Sequence, residues 1–102
     1  MGATVVDVAR EFQARLRKFE PIVAAAFVEP TVGNELLLCT LLGSDDPTVD
    51  AQLAKMQLDL ESTFQEHRFV FSTIHLRGRK PEEFISPDAL EVVPARRRAD
   101  AR

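Results

Sequence analysis

Apolar side chains in the first segment recur at steps of three and four residues, which is the spacing of an amphipathic helix. They are Val5, Ala9, Phe12, Leu16 and Phe19. Thr4 suits the N-cap position, and Asp7 follows three residues later, as in a capping box. Pro21 stops a helix because it has no N–H to donate and its ring clashes with the preceding turn. The pattern predicts a helix over residues 4–20.

A second segment with helical spacing follows the middle of the chain. Its apolar stripe consists of Val49, Leu53, Met56, Leu60 and Phe64. Asp46 is a favourable N-cap, and Pro47 is well suited to the first helical position, where its missing N–H is not needed. These signals predict a second helix from Pro47 to about Glu66.

Three apolar runs between and after the helices predict strands at residues 22–28, 36–42 and 69–76. The run at 36–42 is apolar at nearly every position, which is typical of a central strand that is covered on both faces. Gly33 and Asn34 separate the first two runs, and both residue types adopt positive φ at low cost. A hairpin is therefore expected between the first two strands.

The last part of the chain carries weaker signals. Residues 82–85 are compatible with one helical turn, and Leu90–Val93 with a short fourth strand at an edge, ended by Pro94. The tail at 95–102 has no apolar side chain larger than Ala, so we expect it to be disordered. Residues 1–94 then form a single domain.

The predicted element order is α-β-β-α-β, with the possible short fourth strand at the C-terminus. The hairpin makes the first two strands antiparallel, and the helical crossover makes the second and third parallel. The result is an α+β, two-layer sandwich with both helices on one sheet face. By element order alone it resembles a ferredoxin-like sandwich without its first strand, or with that strand moved to the C-terminus. Such a resemblance implies no function.

The sheet face away from the helices is also apolar in this arrangement, and a single domain does not leave so much apolar surface in water. Two coverings are open at this stage. The residues after Gly78 can fold back over the face, or a second copy of the chain can cover it. The second alternative predicts a homodimer.

Composition places the chain among ordinary globular domains. It has 102 residues, of which 45% are hydrophobic and 28% charged, and this length fits one domain. The single cysteine, Cys39, cannot form an internal disulfide, which favours a reducing, cytoplasmic compartment. Because it stands in the most apolar run, we expect a buried and unreactive thiol. No apolar stretch approaches the roughly 20 residues that span a bilayer, and we predict neither a signal peptide nor a membrane partner.

Charge is distributed unevenly along the chain. Residues 1–94 hold 9 basic and 15 acidic groups, a balance of −6, whereas residues 95–102 hold four Arg and one Asp, a balance of +3. An acidic body disfavours a broad nucleic-acid interface, which requires a basic face.

The densest acidic group follows the predicted central strand. The element order also resembles that of minimal nucleotidyltransferases, in which a Gly-Ser motif precedes paired aspartates on a strand that hold the metal for phosphoryl transfer. Here Asp45 and Asp46 follow Gly43-Ser44 directly, in a predicted loop, and no Asp-x-Asp stands on the next strand. We therefore do not transfer this function. Helix capping accounts for Asp46, and we predict neither a metal nor a cofactor.

Among the titratable residues, His75 is the weak candidate for a general base, with Asp45 and Asp46 as candidate partners. Basic residues form two clusters that can contact phosphates. The first consists of Arg77, Arg79 and Lys80, and the second of Arg96, Arg97 and Arg98. No aromatic residue is interleaved with either cluster, and a solvated loop and a solubilising tail explain them as well.

Three functional hypotheses follow. The first is a small, soluble, non-enzymatic protein–protein interaction module or small subunit, acting as a homodimer through its sheet face or an edge strand. The second is a phosphate- or nucleic-acid-binding domain that uses the basic loop at 77–80 and the Arg-rich tail. The third is a small hydrolase or nucleotidyltransferase-like enzyme that uses His75.

Overall fold

A computed structural model describes residues 4–94 of the chain. The helices are α1 (Val5–Leu16) and α2 (Pro47–Thr63), and the strands are β1 (Val23–Pro30), β2 (Glu35–Leu42), β3 (Arg68–His75) and β4 (Leu90–Val93). Short 3₁₀ turns follow α1 at Arg17–Phe19 and precede β4 at Pro81–Glu83. The predicted α+β class and element order are confirmed. The predicted tail at 95–102 lies outside the described residues.

Both helices begin where their capping residues stand. The Oγ1 atom of Thr4 accepts a hydrogen bond from the Asp7 N–H (3.2 Å), and the Asp7 carboxylate accepts one from the Thr4 N–H (3.0 Å). This backbone hydrogen bond lowers the pKa of Asp7. At α2, Asp46 Oδ1 accepts from the Thr48 N–H (3.0 Å). Helix α1 is shorter than predicted because its last turn before Pro21 is a 3₁₀ turn.

The four strands form one sheet in the order β3-β2-β1-β4. Strands β1 and β2 are antiparallel, with Phe27 opposite Cys39, and β2 and β3 are parallel, with Leu38 opposite Phe71. Gly33, in the hairpin turn, has a φ of +67°. Because β3 pairs directly with β2, no strand is inserted in the βαβ unit, as in a ferredoxin-like sheet that lacks its first strand. Strand β4 extends the opposite edge beyond β1.

Both helices pack on one face of the sheet. This helix-side core contains Val8, Phe12, Leu16, Phe19, Val28, Leu36, Leu38, Leu42, Leu53, Met56, Leu60 and Val92. Its members come from the predicted stripes of both helices and from alternate positions of the strands, since side chains alternate between sheet faces.

The opposite face has a second, smaller core. It consists of Ala25, Phe27, Cys39, Leu41 and Leu76, with Phe84, Ile85 and Ala89 packed against them. The chain reaches this face through a turn in which Arg77 has a φ of +51° and Gly78 a φ of +90°. Of the two coverings considered above, the protein's own residues 76–89 therefore provide one, and the sheet face itself no longer calls for a second copy.

Helix α2 is the longer of the two helices, at 17 residues. Between Thr4 and Pro94, no helix combines the length and apolar character needed to cross a membrane.

Candidate functional site

The side chain of His75 lies between two carboxylates at the end of β3. Its Nδ1 atom is 2.8 Å from Asp45 Oδ1, and its Nε2 atom is 3.3 Å from Asp50 Oδ2. Asp45 belongs to the loop that follows β2, and Asp50 to the first turn of α2. The parallel β2–α2–β3 unit brings them together, because the carboxyl ends of parallel strands lie at the same edge of a sheet. The predicted proximity of His75 and Asp45 is present in the fold.

The chemistry of this cluster follows from which atoms face each other. The contact of Nδ1 with Asp45 is close but is not aligned as a hydrogen bond, because this buried atom has no hydrogen-bond partner within residues 4–94. A general base needs a nitrogen lone pair directed at the proton it removes. The arrangement of His75, Asp45 and Asp50 places polar side chains in contact between the end of β3 and the start of α2. The catalytic role of His75 stays a prediction.

The two aspartates that follow Gly43-Ser44 have separate roles in the fold. Asp46 caps α2, and Asp45 contacts both His75 and Arg77, whose Nε atom is 3.2 Å from Asp45 Oδ2. Among residues 4–94, no group of three or more His, Cys, Asp and Glu residues is arranged to hold a metal ion.

Two of the three cations in the predicted basic loop, Arg77 and Arg79, have partners, and the third, Lys80, makes no salt bridge within residues 4–94. The Arg79 guanidinium is 3.0 Å from Glu83 Oε1 and lies over the Phe84 ring, 4.8 Å from its centroid. The hydrogen bond from Arg79 lowers the pKa of the exposed Glu83 carboxyl. Arg77 is paired with Asp45. The loop therefore presents less uncompensated charge than its sequence indicates, and Arg96, Arg97 and Arg98 lie outside the described residues.

Cys39 is buried in the second core, as expected from its apolar surroundings. Burial raises the pKa of its thiol to about 11, opposed by a weaker hydrogen bond with Ser72 of β3. A thiol of this kind is a poor nucleophile at neutral pH because the thiolate is the reactive form.

The two edges of the sheet are protected to different extents. At one edge, β4 has only four residues, Pro94 follows it, and the Gln13 side chain donates a hydrogen bond to the Val92 carbonyl (2.8 Å). At the other edge, β3 has eight residues, and its Val70 side chain is 44% exposed. In the described part of the chain no strand lies beyond β3. The edge strand was anticipated, but the sequence did not say which edge is open.

A groove between α1 and α2 collects basic side chains that sequence reasoning did not bring together. It encloses about 640 Å³, and its lining includes Arg15, Arg17, Lys18 and Lys55 with a single acidic residue, Asp59. These four cations are separated by up to 40 positions in the chain. A helical-wheel comparison of the two helices was the one signal available, since Arg15 and Lys55 both flank the buried stripes.

Comparison with known proteins gives no relative from which a role can be transferred. No protein-family model matches the chain, and no curated protein and no solved structure matches it either.

Proposed function

We propose that this domain is a protein–protein interaction module that forms a homodimer by pairing the outer edge of β3 with β3 of a second copy. The observation that carries the proposal is the contrast in length and protection between β3 and β4. An exposed edge presents a row of unpaired N–H and C=O groups, and this row is a template for a further strand.

The composition of β3 supports pairing rather than avoidance of pairing. Proteins protect long edges with Lys, Pro, bulges or covering segments. The eight residues Arg68–His75 contain neither Lys nor Pro, and their pairing with β2 is regular from end to end. Val70 leaves apolar surface exposed next to the half-buried Leu37 of β2. The strand is therefore long and regularly paired, and it carries an exposed apolar side chain at the edge where a second strand would pair.

Two-fold symmetry restricts the register of the proposed β3–β3 pair. In an antiparallel pair, residues opposite each other point to the same sheet face. The two-fold axis between the two strands must therefore stand level with one residue, which lies opposite the same residue of the second copy. With the axis at Ser72, Val70 stands opposite Ile74 of the second copy, and Phe71 stands opposite Thr73. Apolar cross-strand pairs of this kind stabilise a sheet, and no like charges are opposed. The pairing extends the sheet to eight strands.

Oligomeric state in a dilution series tests the proposal. Wild type, Val70→Lys and Leu58→Lys are compared by light scattering from the highest soluble concentration downward. Leu58 is the matched control, because it is also an exposed apolar side chain (65% exposed) but lies on the outer side of α2. We expect a wild-type dimer, at least a tenfold weaker dimer for Val70→Lys, which is about 1.4 kcal/mol, and no change for Leu58→Lys.

Two results would contradict the homodimer. One is a wild-type protein that stays monomeric at every concentration. The other is a dimer that Leu58→Lys dissociates and Val70→Lys leaves intact, which would move the interface to the outer side of α2. Circular dichroism of each variant confirms that the fold is kept.

A further inference from the structure

We propose that the groove between α1 and α2 is an anion site that binds the phosphate groups of a ligand. This inference does not depend on the homodimer. The groove lies on the flank of α2 that carries Gln52, Lys55 and Asp59, whereas Gln57 and Asp50 contact β3 from the other flank. Pairing along β3 therefore leaves the groove open.

The first argument is the concentration of positive charge. Residues 1–94 contain nine basic groups against 15 acidic ones. Four of the nine line this one groove, together with one carboxylate, that of Asp59. Arg15 is also paired with Glu11, so four cations and two carboxylates leave a local balance of +2. On a body of −6, this surface attracts anions in preference to the rest of the molecule.

The second argument is that one guanidinium is held in place before any ligand arrives. Arg15 Nε is 2.8 Å from Glu11 Oε2, and Arg15 Nη2 is 3.2 Å from Thr63 Oγ1 at the end of α2. The side chain thus spans the two helices at the groove. A guanidinium has five N–H donors, so these two contacts leave donors for an anion. Preorganised donors of this kind lose less entropy on binding.

The third argument concerns the other cations. Between Thr4 and Pro94, Arg17 and Lys55 make no salt bridge. Lys18 places its ammonium over the Phe19 ring, 5.4 Å from the centroid. The C-terminal end of α1 favours cations at Arg17 and Lys18 through the helix dipole, but the dipole gives no reason for Lys55, which stands in the middle of α2.

The lining also indicates which part of a ligand is recognised. Its apolar contributions come from Ala14 and Met56, and no aromatic ring lines the groove. Stacking on a nucleobase needs such a ring. Recognition therefore falls on the phosphates, which guanidinium and ammonium groups bind through charge-assisted hydrogen bonds. Two sources share this chemistry: small polyphosphates and the backbone of a single-stranded nucleic acid.

The test is an NMR titration of the full chain, labelled with ¹⁵N, with inorganic pyrophosphate at low ionic strength. We expect saturable shifts of amide signals in residues 14–18 and 52–59, and a binding constant that falls as salt is added. The variant Arg17→Gln/Lys55→Gln is expected to bind about tenfold more weakly, because it loses two charge-assisted contacts. The control Arg77→Gln/Arg79→Gln removes the same number of positive charges from the loop and is expected to bind as wild type.

A second arm repeats the titration with an oligothymidylate, using wild type and the tail variant Arg96→Gln/Arg97→Gln/Arg98→Gln. Tighter binding of the oligonucleotide with shifts in the groove identifies a nucleic-acid backbone as the source. Tighter binding of pyrophosphate identifies a small polyphosphate. Shifts confined to residues 77–80, equal affinity of the groove variant and wild type, or no saturable shift would overturn the proposal. Val70→Lys is expected to bind pyrophosphate unchanged, so this result is separable from failure of the homodimer.

Discussion

The two edges of the sheet use different means to deal with unpaired backbone groups. Strand β4 is short, and its Val92 side chain is buried in the helix-side core while its carbonyl accepts a hydrogen bond from Gln13 of α1. Strand β3 is twice as long, and the half-buried, stacked rings of its Phe69 and Phe71 pack against the helix-side core. At its end His75 contacts α2 and the preceding loop, but its outer backbone edge has no covering strand.

This contrast shows that burial of side chains and protection of an edge are separate problems. Both strands bury one face on the helices, so both are firmly part of the fold. Only β4 is also short, with a backbone carbonyl that accepts a hydrogen bond from a helix side chain. A chain that protects one edge and leaves the longer one unprotected is organised as expected for a protein that adds a strand at β3.

The largest change in stability is expected from a core substitution in β4. Val92→Ala leaves a cavity in the helix-side core, and we expect the free energy of unfolding to fall by about 2 kcal/mol. Leu90→Ala is the matched control on the same strand, because Leu90 is exposed and should change stability by less than about 0.5 kcal/mol. Urea denaturation measures both. Equal costs for Val92 and Leu90 would mean that β4 is not part of the core.

The next effect concerns Cys39, which is buried in the second core and lies opposite Ser72 of β3. Its pKa is raised in the folded protein, from an ordinary value of 9.0 to about 11. The unfolded thiol therefore ionises first, and the stabilisation is complete below pH 9 and is lost as the pH rises toward 11. By pH 10 the wild type should lose about 1 kcal/mol relative to its value at pH 8.

Comparison with Cys39→Ala isolates this contribution from the other groups that titrate at high pH. The variant carries no thiol, so its stability should show none of this part of the pH dependence. Parallel curves for the two proteins between pH 8 and pH 10 would show that the thiol is as accessible in the folded state as in the unfolded state, and hence that β3 does not close this position.

An increase in stability is expected from a change at Thr40 of the central strand. This residue lies opposite Ala26 of β1 and Thr73 of β3. It is completely buried, and its Oγ1 atom has no hydrogen-bond partner within residues 4–94. Replacing an unsatisfied buried hydroxyl by a methyl group of similar shape removes a desolvation cost. Thr40→Val should stabilise the protein by about 1 kcal/mol in thermal unfolding, with Thr48→Val, at an exposed site in α2, as the control. A destabilised Thr40→Val would indicate that the hydroxyl has a partner.

The smallest effect is expected at the tie between α1 and β4. Gln13→Ala removes the side-chain donor of the Val92 carbonyl and should cost about 0.5–1 kcal/mol. Hydrogen exchange should then be faster at the amides of β4 and unchanged at those of β3. The exposed Gln65 provides the comparison, since Gln65→Ala removes a glutamine that has no such role. Faster exchange at β3 instead would show that Gln13 does not act through β4.

Most of the fold follows from local patterns. Helix starts were predictable because Thr4, Asp46 and Pro47 act through their nearest neighbours, and the hairpin was predictable from Gly33. The central position of β2 followed from its unbroken apolar run. The sheet order was not predictable to the same degree, because the signals at residues 90–93 fix the existence of β4 but not the strand beside which it lies.

The sites were less accessible to sequence reasoning. The enzyme hypothesis grouped His75 with Asp45, but it left out the second carboxylate, Asp50, because the distance from Asp50 to β3 depends on how α2 packs. The basic groove was missed because Arg15 and Lys55 are brought together only by the packing of α1 against α2. Clusters that are contiguous in sequence are easy to recognise, and residues 77–80 were therefore considered as a phosphate site. The ion pairs of Arg77 and Arg79 reduce the positive charge available there.

The homodimer is tested most directly by intermolecular NOEs in a sample that mixes ¹³C-labelled and unlabelled wild-type protein. An isotope-filtered spectrum reports only contacts between different copies. We predict NOEs between the methyl groups of Val70 and Ile74 and between backbone protons on either side of Ser72. A spectrum without intermolecular NOEs, or with NOEs that come from Leu58 instead of β3, would contradict the account.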